Sequence, residues 1–256
     1  MIRHPLILAV SLTASLSFAA ICAQAAGVPA NIKAAVADSA RPDADKQRDA
    51  NRKPAETLTF LGVKSGESVA ELLPGGGYFT RLFSAAVGAK GHVYALVPAR
   101  PADAPADLPD LAGAVKAIAA DAHYSNVSVV VSPLPSLATP APVDLIFTAQ
   151  NYHDLHNFPV DVVGFNKALL NSLKPGGLYV VLDHSAEAGS GLRDTKTLHR
   201  IDVEAVKKEV TDAGFEFVGS SDVLANSADS RTTKVFDPSI RGKTDQFILK
   251  FRKPKK

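Results

Sequence analysis

The chain has 256 residues, of which 46% are hydrophobic, and its formal net charge is +2 at pH 7. This near balance of charge excludes the broad basic surface that non-specific nucleic-acid binding requires, so we predict no nucleic-acid partner. The single cysteine, Cys22, excludes an intrachain disulfide and a thiolate metal site. The length is ample for a real hydrophobic core and ordinary for an α/β domain.

The first 25 residues have the organisation of a secretory signal peptide. Arg3 supplies the positive start, residues 6–21 form an apolar stretch, and Ala23-Gln24-Ala25 is an A-x-A cleavage site. We therefore predict a periplasmic or secreted protein with no stable membrane insertion once residues 1–25 are removed. An uncleaved membrane anchor is the alternative, but the apolar run is short for a membrane span.

Strands and helices alternate along the rest of the chain. We predict an N-terminal arm over 26–53, with 26–47 loose and holding at most one short helix, then one domain over 54–252 and a frayed basic tail over 253–256. The predicted helices span 54–61, 80–87, 111–122, 161–173 and 202–213, and the predicted strands span 68–73, 92–97, 126–131, 143–148, 178–182, 215–220 and 246–252.

The predicted strands are short and apolar on both faces, and helix-length segments separate most of them. This pattern is typical of α/β proteins, so we predict a doubly wound, mostly parallel, seven-stranded sheet in a single domain. Ligands of such sheets bind beyond the carboxyl ends of the strands. Two loops in this region, 183–201 and 221–245, exceed ordinary connection lengths and are candidates for lids or binding segments.

A glycine-rich loop follows the first predicted strand and opens a helix. It reads Pro74-Gly75-Gly76-Gly77, with Glu71 just before it. Glycines let the backbone turn tightly and approach a ligand closely, and the helix N-terminus behind them favours an anion. On its own the loop fits a plain turn equally well.

Together with later landmarks, this loop resembles the first motif of class I S-adenosylmethionine (SAM)-dependent methyltransferases. That motif is an acidic residue, an apolar residue and Gly-x-Gly-x-Gly, to which Glu71, Gly75 and Gly77 correspond. Val143–Phe147 is similar to the family's fourth strand, and Leu173–Gly177 to the entry into its fifth. The chain most resembles an exported group of predicted methyltransferases with Pro-Gly-Gly-Gly-Tyr in the first motif and Tyr-His-Asp after strand four.

This resemblance covers residues 54–252. It implies a Rossmann-like methyltransferase fold, SAM as the cofactor, and methyl transfer to a small or envelope-associated acceptor. The cofactor-binding residues that it implies are Glu71, Pro74, Gly75, Gly76, Gly77, Tyr78, Val97 and Asn151.

Polar residues that follow strands four and five form the candidate acceptor site. We predict catalytic roles for Tyr152, His153, Asp154 and His184, and substrate contacts for Asp183, His199 and Arg200. Either His153 or His184 would take a proton from the acceptor. Tyr152 would stack on a ring, and Arg200 would pair with an acidic group.

Three positions depart from the family pattern. Leu73 stands where the first glycine of the motif is expected, so we predict a differently shaped turn. Val97 replaces the acid that accepts the ribose hydroxyls, and Ser132-Pro133 replaces the acid near the adenine amine. Each lost charge-assisted hydrogen bond costs about 1.5–3 kcal/mol of donor affinity. One of three later acids, Asp103, Asp107 or Asp110, would have to fold back to replace the acid missing at Val97.

Two other functions stay open. One is a non-catalytic binding module that kept the fold and lost the cofactor. The other is a metal-dependent enzyme, because histidine and carboxylate side chains bind zinc and iron. Its ligands would be His153, His184 and His199 with Asp154 or Asp183. None of them has tight helical ligand spacing, so we assign no metal ligands from the sequence.

A charged group precedes the first helix of the predicted domain. It consists of Arg48, Asp49, Arg52 and Lys53. The simpler interpretation is a solvated helix face, and the alternative is that the group folds over the mouth of the cofactor site.

Overall fold

The computed structural model describes residues 27–101, 107 and 110–255. The predicted signal peptide, Cys22 and Asp103 lie outside these residues.

Seven strands form one sheet: β1 (Ser68–Leu72), β2 (His92–Pro98), β3 (Val127–Ser132), β4 (Val143–Ala149), β5 (Leu173–His184), β6 (Glu216–Ser221) and β7 (Gln246–Arg252). Their order is β3-β2-β1-β4-β5-β7-β6. Strands β1 to β5 are parallel to one another, and β7 is antiparallel to both β5 and β6. The predicted α/β class is therefore confirmed.

The described helices cover both faces of the sheet. They are α1 (Ala30–Val36), α2 (Asp43–Lys46), α3 (Asp49–Arg52), α4 (Pro54–Leu61), α5 (Tyr78–Val87), α6 (Gly113–Ala120), α7 (Val162–Ser172) and α8 (Val203–Asp212). Residues of α1, α4, α5 and α6 share one hydrophobic cluster, and residues of α7 and α8 share the other. None of these helices has both the length and the apolar character needed to cross a membrane.

Alternation along the central strands places the two clusters on opposite faces of the sheet. In β1, Val69 belongs to the first cluster and Ala70 to the second. In β4, Leu145 belongs to the first cluster and Ile146 to the second. Successive side chains of a strand point to opposite faces, and both faces are buried here. This burial explains why the strands read as continuous apolar runs.

The N-terminal arm is packed against the domain. It contains α1, α2 and α3, so the predicted loose segment with at most one short helix is wrong. Ile32 and Ala35, three residues apart on one face of α1, are fully buried. The Asn31 side-chain amide donates to the backbone oxygens of Val63 and Ala86, each at 3.1 Å. Apolar burial and side-chain hydrogen bonds together hold the arm in place.

Lys253, the first residue of the tail that we predicted to fray, is held against the domain. Lys250 lies in β7, and its Nζ donates to the backbone oxygen of Phe60. Lys253 Nζ donates to the backbone oxygen of Leu173 at 2.7 Å. Both lysines therefore satisfy backbone acceptors, and the fraying predicted from residue 253 is wrong for Lys253.

Candidate functional site

The glycine-rich loop joins β1 to α5 with a left-handed backbone at three positions. Leu73 has φ +48°, Gly75 has φ +55° and Gly77 has φ +77°. Leu73 thus has a left-handed conformation that glycine adopts far more readily, and the predicted difference in turn shape stays a prediction. A left-handed leucine costs about 1–2 kcal/mol. Two hydrogen bonds hold Leu73 in place. The Leu73 N–H donates to the backbone oxygen of Leu96 at 2.9 Å, and Asn151 Nδ2 donates to the backbone oxygen of Leu73 at 3.1 Å.

The two glycines before α5 have different surroundings. A Cβ built on Gly76 meets no atom within 4 Å, and its φ lies outside the left-handed region. A Cβ on Gly77 would lie 2.1 Å from Ile118 Cδ1. Gly77 therefore lets α5 pack beside α6, and Gly76 faces open space.

That open space is a cavity of about 180 Å³ at the carboxyl ends of β1 and β4. Of the predicted cofactor residues, six line it: Glu71, Pro74, Gly75, Gly76, Tyr78 and Asn151. Gly77 is not among its lining residues, because the position of a Cβ on Gly77 points toward Ile118. Val97 is buried in the core, so its side chain is not available to a ligand there. Neither residue therefore offers a side chain to a ligand in this cavity.

The arm covers this cavity through α3. Arg52 lies over the Tyr78 ring at 4.8 Å, and its guanidinium donates to Gln150 Oε1 at 3.0 Å. The Tyr78 hydroxyl donates to Asp49 at 2.6 Å, and Arg41 holds that carboxylate with two hydrogen bonds. Burial, reinforced by the charge of Arg48, lowers the pKa of Arg52 to about 10. Arg52 therefore lies over this cavity and is not part of a solvated helix face.

Glu71 forms the floor of the cavity and is almost completely buried. Burial raises the pKa of Glu71 to about 8, although the Thr80 hydroxyl, which donates to its carboxylate, and the charge of Arg52 oppose the shift. The carboxyl group is therefore mostly protonated at neutral pH. A protonated acid can be buried without an ionic partner at far lower cost than a carboxylate.

The raised pKa of Glu71 predicts how stability depends on pH. Between about pH 4.5 and pH 8 the folded protein keeps a proton that the unfolded chain has released, so the free energy of unfolding falls as pH rises. The slope contributed by Glu71 is at most about 1.4 kcal/mol per pH unit. Urea unfolding at several pH values should show this slope reduced in Glu71→Gln and retained in Glu56→Gln, an exposed control. If the free energy of unfolding of Glu71→Gln depended on pH as it does in wild type, Glu71 would not have the raised pKa described above.

A second cavity, of about 530 Å³, adjoins the first. Both are lined by Arg48, Arg52 and Gln150. The other lining residues of the larger cavity are Asn51, His184, Val235, Phe236, Arg241, Gly242 and Gln246. Three of the lining residues are thus arginines and none is acidic, and Phe236 is half exposed. A pocket of this size with positive charge and an aromatic wall suits a small acidic molecule.

His184 is the predicted catalytic residue that lines this larger cavity. Its Nδ1 lies 2.7 Å from the Thr244 hydroxyl. Burial lowers the pKa of His184 to about 4 despite the opposing charge of Asp183. His184 is therefore a neutral imidazole at physiological pH.

Three other predicted acceptor-site residues are engaged inside the protein. The Tyr152 hydroxyl is 3.0 Å from Glu209 Oε2 and accepts a hydrogen bond from Asn166 at 2.8 Å, so its ring is not free to stack on an acceptor. Arg200 is fully buried, and its guanidinium lies 2.9 Å from Asp229. Asp183 is fully buried beneath the loop that follows β4. The predicted catalytic role of Tyr152 and the substrate contacts of Asp183 and Arg200 are wrong for this reason.

His153, Asp154 and His199 meet one another and line neither cavity. Burial works to lower the pKa of His153, but the carboxylates of Asp183 and Asp154 outweigh it and raise the pKa to about 10. His153 is thus not the free proton acceptor that we predicted. His184 faces Thr244, so the three predicted histidines do not form one ligand set, whereas His153, His199 and Asp154 converge.

Several residues of the site were not assigned from the sequence. Gln150 directly follows β4 and has φ +62°, so its position at a carboxyl end was the available signal. Arg241 and Phe236 lie in the 221–245 loop. The length of that loop indicated a candidate binding segment, but the sequence did not show which of its residues reach the larger cavity.

Solved structures with the same architecture identify the fold. A SAM-dependent methyltransferase from Aquifex aeolicus is 22% identical and matches with a TM-score of 0.56, covering 83% of this chain and 98% of its own. A putative sarcosine dimethylglycine methyltransferase from Galdieria sulphuraria matches at 15% identity and a TM-score of 0.55, covering 83% and 86%. A SAM-dependent methyltransferase from Mesorhizobium loti matches at 14% and 0.54, covering 80% and 99%. The chain has the class I methyltransferase fold. No protein-family model and no curated protein matches the sequence.

The methyltransferase fold implies SAM, and the residues present fit this cofactor. The space above Gly76 admits a ligand against the backbone, and Asn151 and Arg52 bring polar groups to the same cavity. Two expected acids are missing, because β2 ends at Pro98 and β3 at Ser132. Asp110, one of the acids considered as a replacement, lines neither cavity, and its carboxylate accepts from the Ala112 N–H at 2.9 Å. A donor bound in this cavity would therefore meet the glycine loop, Glu71 and the arm.

Proposed function

We propose that this protein transfers a methyl group from SAM to a small acidic acceptor. The observation that carries the proposal is the pair of adjoining cavities at the carboxyl edge of the sheet. One lies over the glycine loop, and the other is lined by three arginines and no acid. Because residues 1–25 have the pattern of a signal peptide, we also propose that the acceptor is met outside the cytoplasm.

The donor half of the proposal rests on the smaller cavity. The three methyltransferases named above share the fold, and two of them are described as SAM-dependent. SAM when bound supplies an electrophilic methyl group. Gly75 and Gly76 would let the donor lie against the backbone, and Arg52 and Asn151 would bind its polar groups. Arg52 would also exclude water, because it covers the Tyr78 ring and reaches Gln150.

The acceptor half rests on the larger cavity. Methyl transfer needs the acceptor atom held in line with the methyl group more than it needs acid–base chemistry. Arg48, Arg52 and Arg241 would bind an anionic group, and Phe236 would pack on the apolar part of the acceptor. His184 lines the same cavity and would hydrogen-bond the reacting group.

Calorimetric titration of SAM and S-adenosylhomocysteine into the purified protein tests the donor half. We expect saturable binding near one equivalent with a micromolar dissociation constant, which corresponds to about −8 kcal/mol. Absence of binding by either ligand would contradict the proposal and favour the non-catalytic binding module, which the missing acids at Val97 and Pro133 would explain.

A substitution at Arg241 tests acceptor binding without affecting donor binding, because Arg241 lines only the larger of the two cavities. We expect Arg241→Gln to raise KM for a carboxylate acceptor by about 10-fold, as the loss of one charge-assisted hydrogen bond of about 1.5 kcal/mol implies. Affinity for SAM should stay unchanged by calorimetry. Arg252→Gln, a substitution in β7 outside both cavities, is the matched control. Equal KM values for Arg241→Gln and wild type would contradict an anionic acceptor at this position.

A further inference from the structure

Three potential metal-binding atoms converge beside the larger cavity. His153 Nε2 lies 3.3 Å from His199 Nδ1 and 3.3 Å from Asp154 Oδ1. His199 Nδ1 lies 3.4 Å from the same oxygen. The atoms therefore form a nearly equilateral triangle contributed by two separate segments: the turn after β4 and the 183–201 loop.

This triangle has the dimensions of a zinc site. Ligand atoms bound tetrahedrally at about 2.0–2.1 Å are separated by about 3.3–3.4 Å, as found here. Two imidazoles and one carboxylate are also a ligand set known for zinc and for non-haem iron. We propose that His153, Asp154 and His199 bind one divalent transition-metal ion, with Zn²⁺ as the best match to the geometry.

A buried carboxylate supports the first of these ligands. Asp183 Oδ1 lies 2.8 Å from the ring atom His153 Nδ1, and Asp183 Oδ2 accepts from the backbone N–H of His153 at 2.8 Å. The His184 N–H donates to the same carboxylate at 2.7 Å. This arrangement fixes the ring of His153 with its Nε2 toward the triangle. Histidines that bind metals generally donate their other nitrogen to such a carboxylate.

The second histidine is held in an uncommon conformation. His199 has φ +55°, and its ring packs against Phe236 with centroids 4.8 Å apart. The Leu198 N–H donates to the Asp194 oxygen at 3.0 Å, and the Val235 N–H donates to the Leu198 oxygen at 3.2 Å. Strained backbone that neighbouring contacts maintain often occurs at functional sites.

One side of the triangle is open to solvent. The His199 and Asp154 side chains are 22% and 34% exposed, whereas His153 is 3% exposed. A fourth ligand such as water can therefore reach the metal, as in zinc sites that keep an open position. Asn157 Nδ2 donates to Asp154 Oδ1 at 3.2 Å and orients the carboxylate. An ion here would join the 183–201 loop to the turn after β4.

Metal binding by the purified full-length protein, without a histidine tag, tests the site. After treatment with a chelator, the protein is titrated with Zn²⁺ in a calorimeter and with Co²⁺ in a spectrophotometer. We expect one equivalent of Zn²⁺ with a micromolar or lower dissociation constant, and the visible absorption of tetrahedral Co²⁺. Asp154→Asn and His199→Asn should each weaken Zn²⁺ binding at least 10-fold. Asparagine tolerates the left-handed backbone at 199, and both positions are partly exposed, so these variants should fold.

His156→Asn is the matched control, because His156 lies in the same turn but contacts Glu209 at 3.2 Å. It should bind Zn²⁺ as wild type does. The proposal would be overturned by wild-type protein that binds no stoichiometric ion, by equal affinity in Asp154→Asn, His199→Asn and wild type, or by loss of binding in His156→Asn. Because the readout is metal binding, it does not depend on whether the protein methylates anything.

Discussion

Replacing Gly76 with valine is expected to abolish SAM binding without unfolding the protein. A Cβ at Gly76 meets no protein atom within 4 Å, and the backbone there is accessible to L residues. The added side chain would instead occupy the space above the glycine loop, where we place the donor. We expect affinity for SAM, measured by calorimetry, to fall at least 100-fold, which is about 2.8 kcal/mol. The free energy of unfolding in urea should change by less than about 0.5 kcal/mol.

The neighbouring glycine provides the contrast. Gly77→Ala places a Cβ 2.1 Å from Ile118 Cδ1 at a position with φ +77°, so it should lower the free energy of unfolding by at least about 2 kcal/mol. If Gly76→Val binds SAM with wild-type affinity, the donor does not lie over this loop. Gly76→Val that is as unstable as Gly77→Ala would contradict the open space described above.

Replacing Arg200 with methionine is expected to destabilise the fold by about 3–5 kcal/mol. Arg200 and Asp229 are both buried, and the guanidinium also donates to the backbone oxygens of Ser185 and Thr233, each at 3.0 Å. Removing the arginine leaves Asp229 buried without its cationic partner. Urea unfolding of the variant should show this loss as a lower midpoint with an unchanged slope.

A double-mutant cycle separates the ion pair from the cavity that each substitution leaves. Because the two side chains are in contact, Arg200→Met and Asp229→Leu together should cost less than the sum of the single costs. Lys208→Met is the control: Lys208 and Asp212 form a solvent-exposed pair on α8, so its loss should change the free energy of unfolding far less than loss of Arg200. Additive single costs for Arg200 and Asp229 would mean that the two charges are not coupled.

The sequence predicted the sheet well because burial on both faces leaves a simple pattern. Each predicted strand overlaps an observed one, and Pro54 and Gly62 mark the ends of α4. The arm could not be predicted in the same way. A helix of four residues, such as α2 or α3, is one turn long, so it shows no recurring apolar period.

The candidate site was predictable only as a region. Strand ends place residues at one edge of the sheet, but they do not fix which way each side chain turns. Tyr152 turns toward Asn166 and Glu209, which belong to α7 and α8, and Arg200 turns toward Asp229 in another loop. These partners are far apart in sequence, so only the packed fold reveals them. His153 and His199 meet 46 positions apart for the same reason.

The position of β7 inside the sheet has a consequence for the order of folding. β7 forms its ladder with β5 on one side and β6 on the other, and Ile248 and Leu249 are completely buried there. A chain emerging from the ribosome cannot close this part of the sheet until residue 252 is free. Until then β5 and β6 keep unpaired edges, and pairing between distant segments carries its entropic cost before any gain in stability. The nascent chain therefore stays incompletely folded, and dependent on protection from aggregation, until β7 has been made.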